Sequence, residues 1–142
     1  MSIETLQNRL PDYAKDLRLN LSTLAAEEIL SAQQKWGAFL ATAMATGNAE
    51  VIAAMETLAA QHISAEAMTA ARAAASIMAM NNVYYKFAGT MGGDYQTMPA
   101  KLRMTVIGNP GVEKVDFELW ALAVSALNGC QYSVTAHEAV LA

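Results

Sequence analysis

Apolar residues along this chain recur at spacings of three and four, and hardly ever at two, so the pattern predicts helices throughout. Pro11-Asp12 opens a first helix running to about residue 19, with Tyr13, Leu17 and Leu21 on one face. Ser22 or Thr23 is the expected cap of the next, which carries Ile29, Leu30, Trp36, Phe39, Leu40 and Ala43 and stops at Thr46-Gly47-Asn48. Asn48 caps a helix over 49–61. Ser64 caps a long one over 65–87, whose face of Ala70, Ala73, Ala74, Ile77 and Met78 lets a neighbour approach closely.

Gly89, Gly92-Gly93 and Asp94 mark the longest irregular stretch. A short helix is expected over about 98–107, ended by Gly108-Asn109-Pro110-Gly111; within it, 104–107 is the single strand candidate. Helix 116–127 follows, with Asp116 as its cap and Phe117, Trp120, Val124 and Leu127 as its buried stripe. Asn128-Gly129 stops it, and a last helix begins around Cys130. The implied fold class is all-α. With no linker, low-complexity tract or internal repeat, residues 1–142 are expected to form one domain. Residues 134–142 read as a helix still in progress, ending on Val140, Leu141 and Ala142, so the chain reads as a shortened version of something longer.

Composition sharpens this picture at three points. The 54% apolar content is rich in Ala and Met, side chains that lose little rotamer freedom in a helix. A net charge of −4 leaves no basic footprint for nucleic acid or for an anionic membrane. Mean hydropathy is positive at +0.21, but the longest uncharged run, 119–136, carries Ser125, Asn128, Gly129, Gln131, Ser133 and Thr135 and does not read as a membrane span. The N-terminus shows no secretory pattern, and one cysteine permits no intrachain disulfide, so the expected location is the cytoplasm.

Candidate chemistry concentrates in one stretch: Glu118, eleven residues, Cys130-Gln131-Tyr132-Ser133, three residues, then His137-Glu138. Gly129 at a helix stop places Cys130 in the first turn of the next helix, where free backbone N–H groups and the helix dipole favour a thiolate. Position 133 is one turn on, and His137 four residues further on the same face. If Asn128-Gly129 closes an antiparallel pair, Glu118 comes back beside His137, and Glu118, His137, position 133 and Cys130 form a possible proton relay. The ordinary alternatives stand beside this one: an inert core cysteine, a structural histidine and a first-turn carboxylate favoured by the dipole. Tyr132 either hydrogen-bonds in the site or simply packs, and His62, before a turn, reads as a surface or capping residue. No metal-ligand spacing is present, and Gly92-Gly93 lacks the Lys-Ser/Thr of a phosphate loop.

The segment 118–138 resembles the active-site signature of the alkyl hydroperoxidase D (AhpD) family of the carboxymuconolactone decarboxylase-like superfamily: Glu, then Cys-x-x-Cys, then His four residues after the second Cys. Further similar landmarks are Leu10-Pro11-Asp12-Tyr13-Ala14-Lys15-Asp16, Leu19-Asn20-Leu21-Ser22, Trp36-Gly37, Met80-Asn81-Asn82-Val83-Tyr84-Tyr85, Leu102-Arg103-Met104 and Asn109-Pro110-Gly111. The resemblance covers essentially the whole chain. It implies an AhpD-like multi-helix domain and an antioxidant, thiol-dependent alkyl hydroperoxide reductase. In the family the second cysteine attacks the peroxide, the first resolves the sulfenic acid to a disulfide, and a dihydrolipoyl group on a lipoylated acyltransferase protein reduces it; no cofactor is bound. The pair also passes electrons to an AhpC-type peroxiredoxin, and the family is trimeric.

Two departures matter. Ser133 stands at the position of the peroxide-attacking cysteine, and the family continues beyond Ala142. A serine hydroxyl is hardly ionised at neutral pH and forms no disulfide, so the resemblance implies an inactive Cys-to-Ser variant, with engineering favoured over natural decay. The catalytic set it implies is Cys130, Ser133, His137 and Glu118. The rival readings are a non-catalytic helical oligomer binding a partner or ligand, and a decarboxylase-like relative using His137 and Glu118 alone, which would have no need of Cys130.

Overall fold

The computed structural model describes residues 2–142, and no strand forms among them. In chain order the helices are α1 (Ile3–Gln7), α2 (Lys15–Ala26), α3 (Ala32–Thr46), α4 (Ala49–Ala60), α5 (Ala65–Met91), the single turn α6 (Asp94–Thr97), α7 (Lys114–Asn128) and α8 (Gln131–Leu141). Short 3-10 turns lie at Asp12–Ala14 and Thr105–Ile107.

The core is built where α3, α4, α5 and α7 meet. Its large side chains are Trp36, Leu40, Met55, Leu58, Met78, Phe117, Trp120 and Val124, and alanines such as Ala41, Ala59, Ala74 and Ala121 fill the space between them. Small residues bring the helix axes close. At Gly37 the approach is closest: an added Cβ would sit 2.1 Å from the Trp120 ring, whose Nε1–H donates to the Gln34 carbonyl at 3.0 Å. The Trp36-Gly37 pair is thus a packing requirement of α7 on α3.

Polar contacts fix the same helix pair. Asp116, buried in the first turn of α7, accepts from Gln33 Nε2 at 2.7 Å and Gln34 Nε2 at 2.9 Å on α3. A carboxylate this far from water needs such donors. Asp116 therefore joins two helices and does not cap α7, which starts two residues earlier at Lys114.

Several boundaries differ from the pattern-based expectation. Ser22 and Thr23 do not start a helix, because α2 runs straight through them: Thr23 Oγ1 donates back to the Leu19 carbonyl at 3.2 Å, and Ser22 Oγ accepts from Gln7 Nε2. The break falls at Glu27, whose carboxylate accepts from the amides of Glu28 and Ile29. Ser31 then caps α3 in a reciprocal capping box with Gln34. Asn48 and Ser64 cap α4 and α5 as the sequence suggests.

The helix expected over 98–107 does not form. Pro99 pushes Met98 to extended backbone (ψ 138°), and only the 3-10 turn at Thr105–Ile107 remains, which also disposes of the strand candidate there. Two predicted stripes are only partly buried. Leu127 is 53% exposed while Phe117, Trp120 and Val124 are sealed, and Tyr13 and Leu17 of the first stripe face solvent.

Candidate functional site

The site is made by the turn between α7 and α8. Gly129 takes the left-handed conformation (φ 71°, ψ 32°), which a residue without Cβ adopts freely. Its N–H donates to the Ala126 carbonyl at 3.1 Å, and the Cys130 N–H reaches back to the Ser125 carbonyl at 3.1 Å. This is the paired closure of a Schellman motif. It ends α7 and delivers Cys130, in extended backbone (φ −96°, ψ 98°), as the N-cap of α8 rather than as a residue of its first turn.

From there the Cys130 thiol donates to Ser133 Oγ at 3.1 Å, both side chains buried. The turn folds α8 back along α7, so residues nearly equidistant from it meet. Glu118 Oε2 and His137 Nδ1 lie 2.5 Å apart, with side-chain exposures of 3% and 12%. The contact is direct. A carboxylate this buried is held in place by its partner, and the partner's tautomer is fixed in turn. His137 follows Ser133 by one helical turn, so the two pairs occupy one side of α8.

Around this pair of contacts the structure adds Asn82 and Tyr85, which the sequence showed only as part of a family landmark and gave no role in the site. Asn82, buried on α5, donates through Nδ2 to Ser125 Oγ at 3.0 Å and accepts through Oδ1 from Asn128 Nδ2 at 3.0 Å. The available signal was an asparagine pair set into an otherwise Ala- and Met-rich helix. Tyr132, exposed between the two motif positions, stacks on Tyr85 of α5 with ring centres 4.7 Å apart, and Tyr84 meets Tyr85 edge-on. Burial, with the neighbouring Tyr132 and Tyr84, raises the Tyr85 phenol above its ordinary 10.0. An open groove of about 760 Å³ runs between α5 and α8 beside the stack, lined by Lys86, Thr90, Gln96, Tyr132 and Thr135 among others. His62 lies away from this region, stacked on Trp36 at 4.3 Å. Among the described residues no three His, Cys, Asp or Glu side chains come together to hold a metal ion, and no helix is long and apolar enough to cross a membrane.

The carboxymuconolactone decarboxylase family matches residues 93–142, the part of the chain that carries Glu118, Cys130, Ser133 and His137. Over nearly the whole chain the likeness is closer. Alkyl hydroperoxide reductase AhpD of a Bradyrhizobium species is 59% identical over 142 residues, which is 99% of this chain and 78% of that protein. This chain belongs to the AhpD family. The AhpD of Rhodopseudomonas palustris is likewise 59% identical at the same coverage, and that of Brucella anthropi 57% identical over 99% of this chain and 81% of its own length. The AhpD membership and the all-helical fold agree with the resemblance read from the motif residues.

Proposed function

We propose that this chain is an AhpD-type alkyl hydroperoxide reductase fold whose peroxide-attacking position is occupied by Ser133, leaving Cys130 as a resolving thiol without its partner. The observation that carries the reading is the Cys130 thiol set 3.1 Å from Ser133 Oγ, with the Glu118–His137 pair one helical turn further along α8.

With a cysteine at 133, its thiolate attacks the peroxide oxygen distal to the alkyl group, the O–O bond breaks, and the alcohol leaves with a proton from His137. The resulting sulfenic acid is attacked by Cys130, releasing water and forming the disulfide. Two exchange steps with a dihydrolipoyl group of a lipoylated protein restore both thiols, and the same pair would regenerate an AhpC-type peroxiredoxin. Glu118 orients His137 through their direct contact. With Ser133 the first step is lost, since the hydroxyl neither ionises at neutral pH nor accepts a second sulfur. The same serine favours a second reading, a non-catalytic oligomer of this fold that retains partner binding. For either, the expected assembly is a homotrimer and the expected location the cytoplasm.

The chain as given is expected to show no peroxide reduction with dihydrolipoamide, and Ser133→Cys to gain it. Turnover by the Ser133 chain that survives Cys130→Ala would overturn the thiol mechanism.

A further inference from the structure

Cys130 and position 133 sit on opposite sides of a helix boundary. The Val134 N–H donates to the Cys130 carbonyl at 3.0 Å and ties this N-cap to α8, while the α7–α8 turn sets the direction from which Cys130 enters that helix. The Schellman hydrogen bonds close the turn internally but do not locate it against the rest of the protein. That role falls to α5. Asn82 is 2% exposed, and both ends of its amide are spent on α7. Nδ2 donates to Ser125 Oγ, whose own backbone carbonyl receives the Cys130 N–H, while Oδ1 accepts from Asn128, the residue just before Gly129. The Ser125 hydroxyl donates a hydrogen bond to Met78 Sδ at 3.4 Å, so the cluster is closed on the α5 side too.

We propose that Asn82 is a positioning residue, fixing the turn that carries Cys130 and thereby the place of that sulfur relative to position 133. A leucine of similar volume would fill the space, yet leave Ser125 Oγ short of one partner and Asn128 unclamped. The inference rests on the thiol reading of positions 130 and 133. Its neighbour Asn81 supplies a matched control. At 4% exposure Asn81 is as buried, but its Nδ2 approaches Met104 Sδ at 3.7 Å, away from α7 and α8, and its Oδ1 has no partner among the described residues.

Two readouts decide the matter, and neither requires peroxide. In the chain as it stands, amide hydrogen exchange followed by NMR should show protection at Gly129 and Cys130 falling about tenfold in Asn82→Leu, and not in Asn81→Leu. In the Ser133→Cys background, equilibration with glutathione should show the disulfide between Cys130 and the introduced thiol less favoured by about tenfold in Asn82→Leu, about 30 mV toward less negative potential, with Asn81→Leu unmoved. If Asn82→Leu does not fold, Asn128→Ala cuts the same clamp from its half-buried end and should lower the same two protections. Equal effects of the Asn82 and Asn81 substitutions, or unchanged protection at Gly129 and Cys130 in a clamp variant that folds, overturn the proposal. If the Ser133→Cys chain forms no disulfide at all, the thiol reading fails, and amide exchange alone still tests Asn82.

Discussion

Gly37 shows how much a single position can decide. Alanine is usually the better helix residue, by about 1 kcal/mol over glycine in a helix interior. Here that gain is outweighed, because a methyl group would overlap the Trp120 ring at 2.1 Å and the ring is already pinned through Nε1 to the Gln34 carbonyl. Gly37→Ala is expected to destabilise the fold by about 3 kcal/mol, read from the urea midpoint, with the slope of the transition unchanged. At this scale the sequence was readable for chemistry and opaque for packing. Cys130, Ser133, Glu118 and His137 were singled out, with spacing offering a relay beside ordinary alternatives and the family resemblance implying the catalytic set. The buried amide of Asn82 was not, because its value comes from Ser125 and Asn128, 43 and 46 residues away along the chain.

Among the elements, α3 and α7 form the frame on which the site rests, and Asp116 is one of the polar contacts between them, beside the Trp120 Nε1–H bond to the Gln34 carbonyl. Removing its carboxylate by Asp116→Ala leaves the amides of Gln33 and Gln34 without their acceptor, which is expected to cost about 1–3 kcal/mol. Asp116→Asn, still able to accept from one amide, should lose less; chemical denaturation of the two variants checks the order. Helix starts were legible at Asn48 and Ser64, whose side chains close on their own helices, but Ser31, which does the same for α3, was passed over for Ser22 and Thr23. They were misplaced where the same residue types serve other partners. Ser22 receives Gln7, Thr23 bonds backward within α2, and Asp116 reaches across to α3, so none of the three caps anything. The 98–107 stretch failed for a different reason: the extended Met98 before Pro99 outweighs a favourable apolar spacing.

Over the whole molecule, the side of the chain away from the core is unusually apolar. α2 has no buried residue, and Tyr13, Leu17, Leu24 and Ile29 stand 93%, 63%, 56% and 85% exposed. Scattered apolar residues on a surface are ordinary, but several close together in sequence are the mark of a surface that meets another. The expected outcome in light scattering is a particle near three times the 15.1 kDa of the chain, and a monomer at micromolar concentration would remove the trimer. The hairpin of α7 and α8 carries one more consequence, which concerns descent rather than chemistry. Glu118 and His137 meet because the residues between them number just enough to turn each side chain inward across Gly129. One residue inserted into α7 between Glu118 and Gly129 would swing Glu118 by about 100° around the helix axis and out of reach. Any lineage that keeps this pair must therefore keep the length of that segment, and insertions should collect instead in the irregular stretch around Pro99 and Lys101, where no helical register has to be preserved.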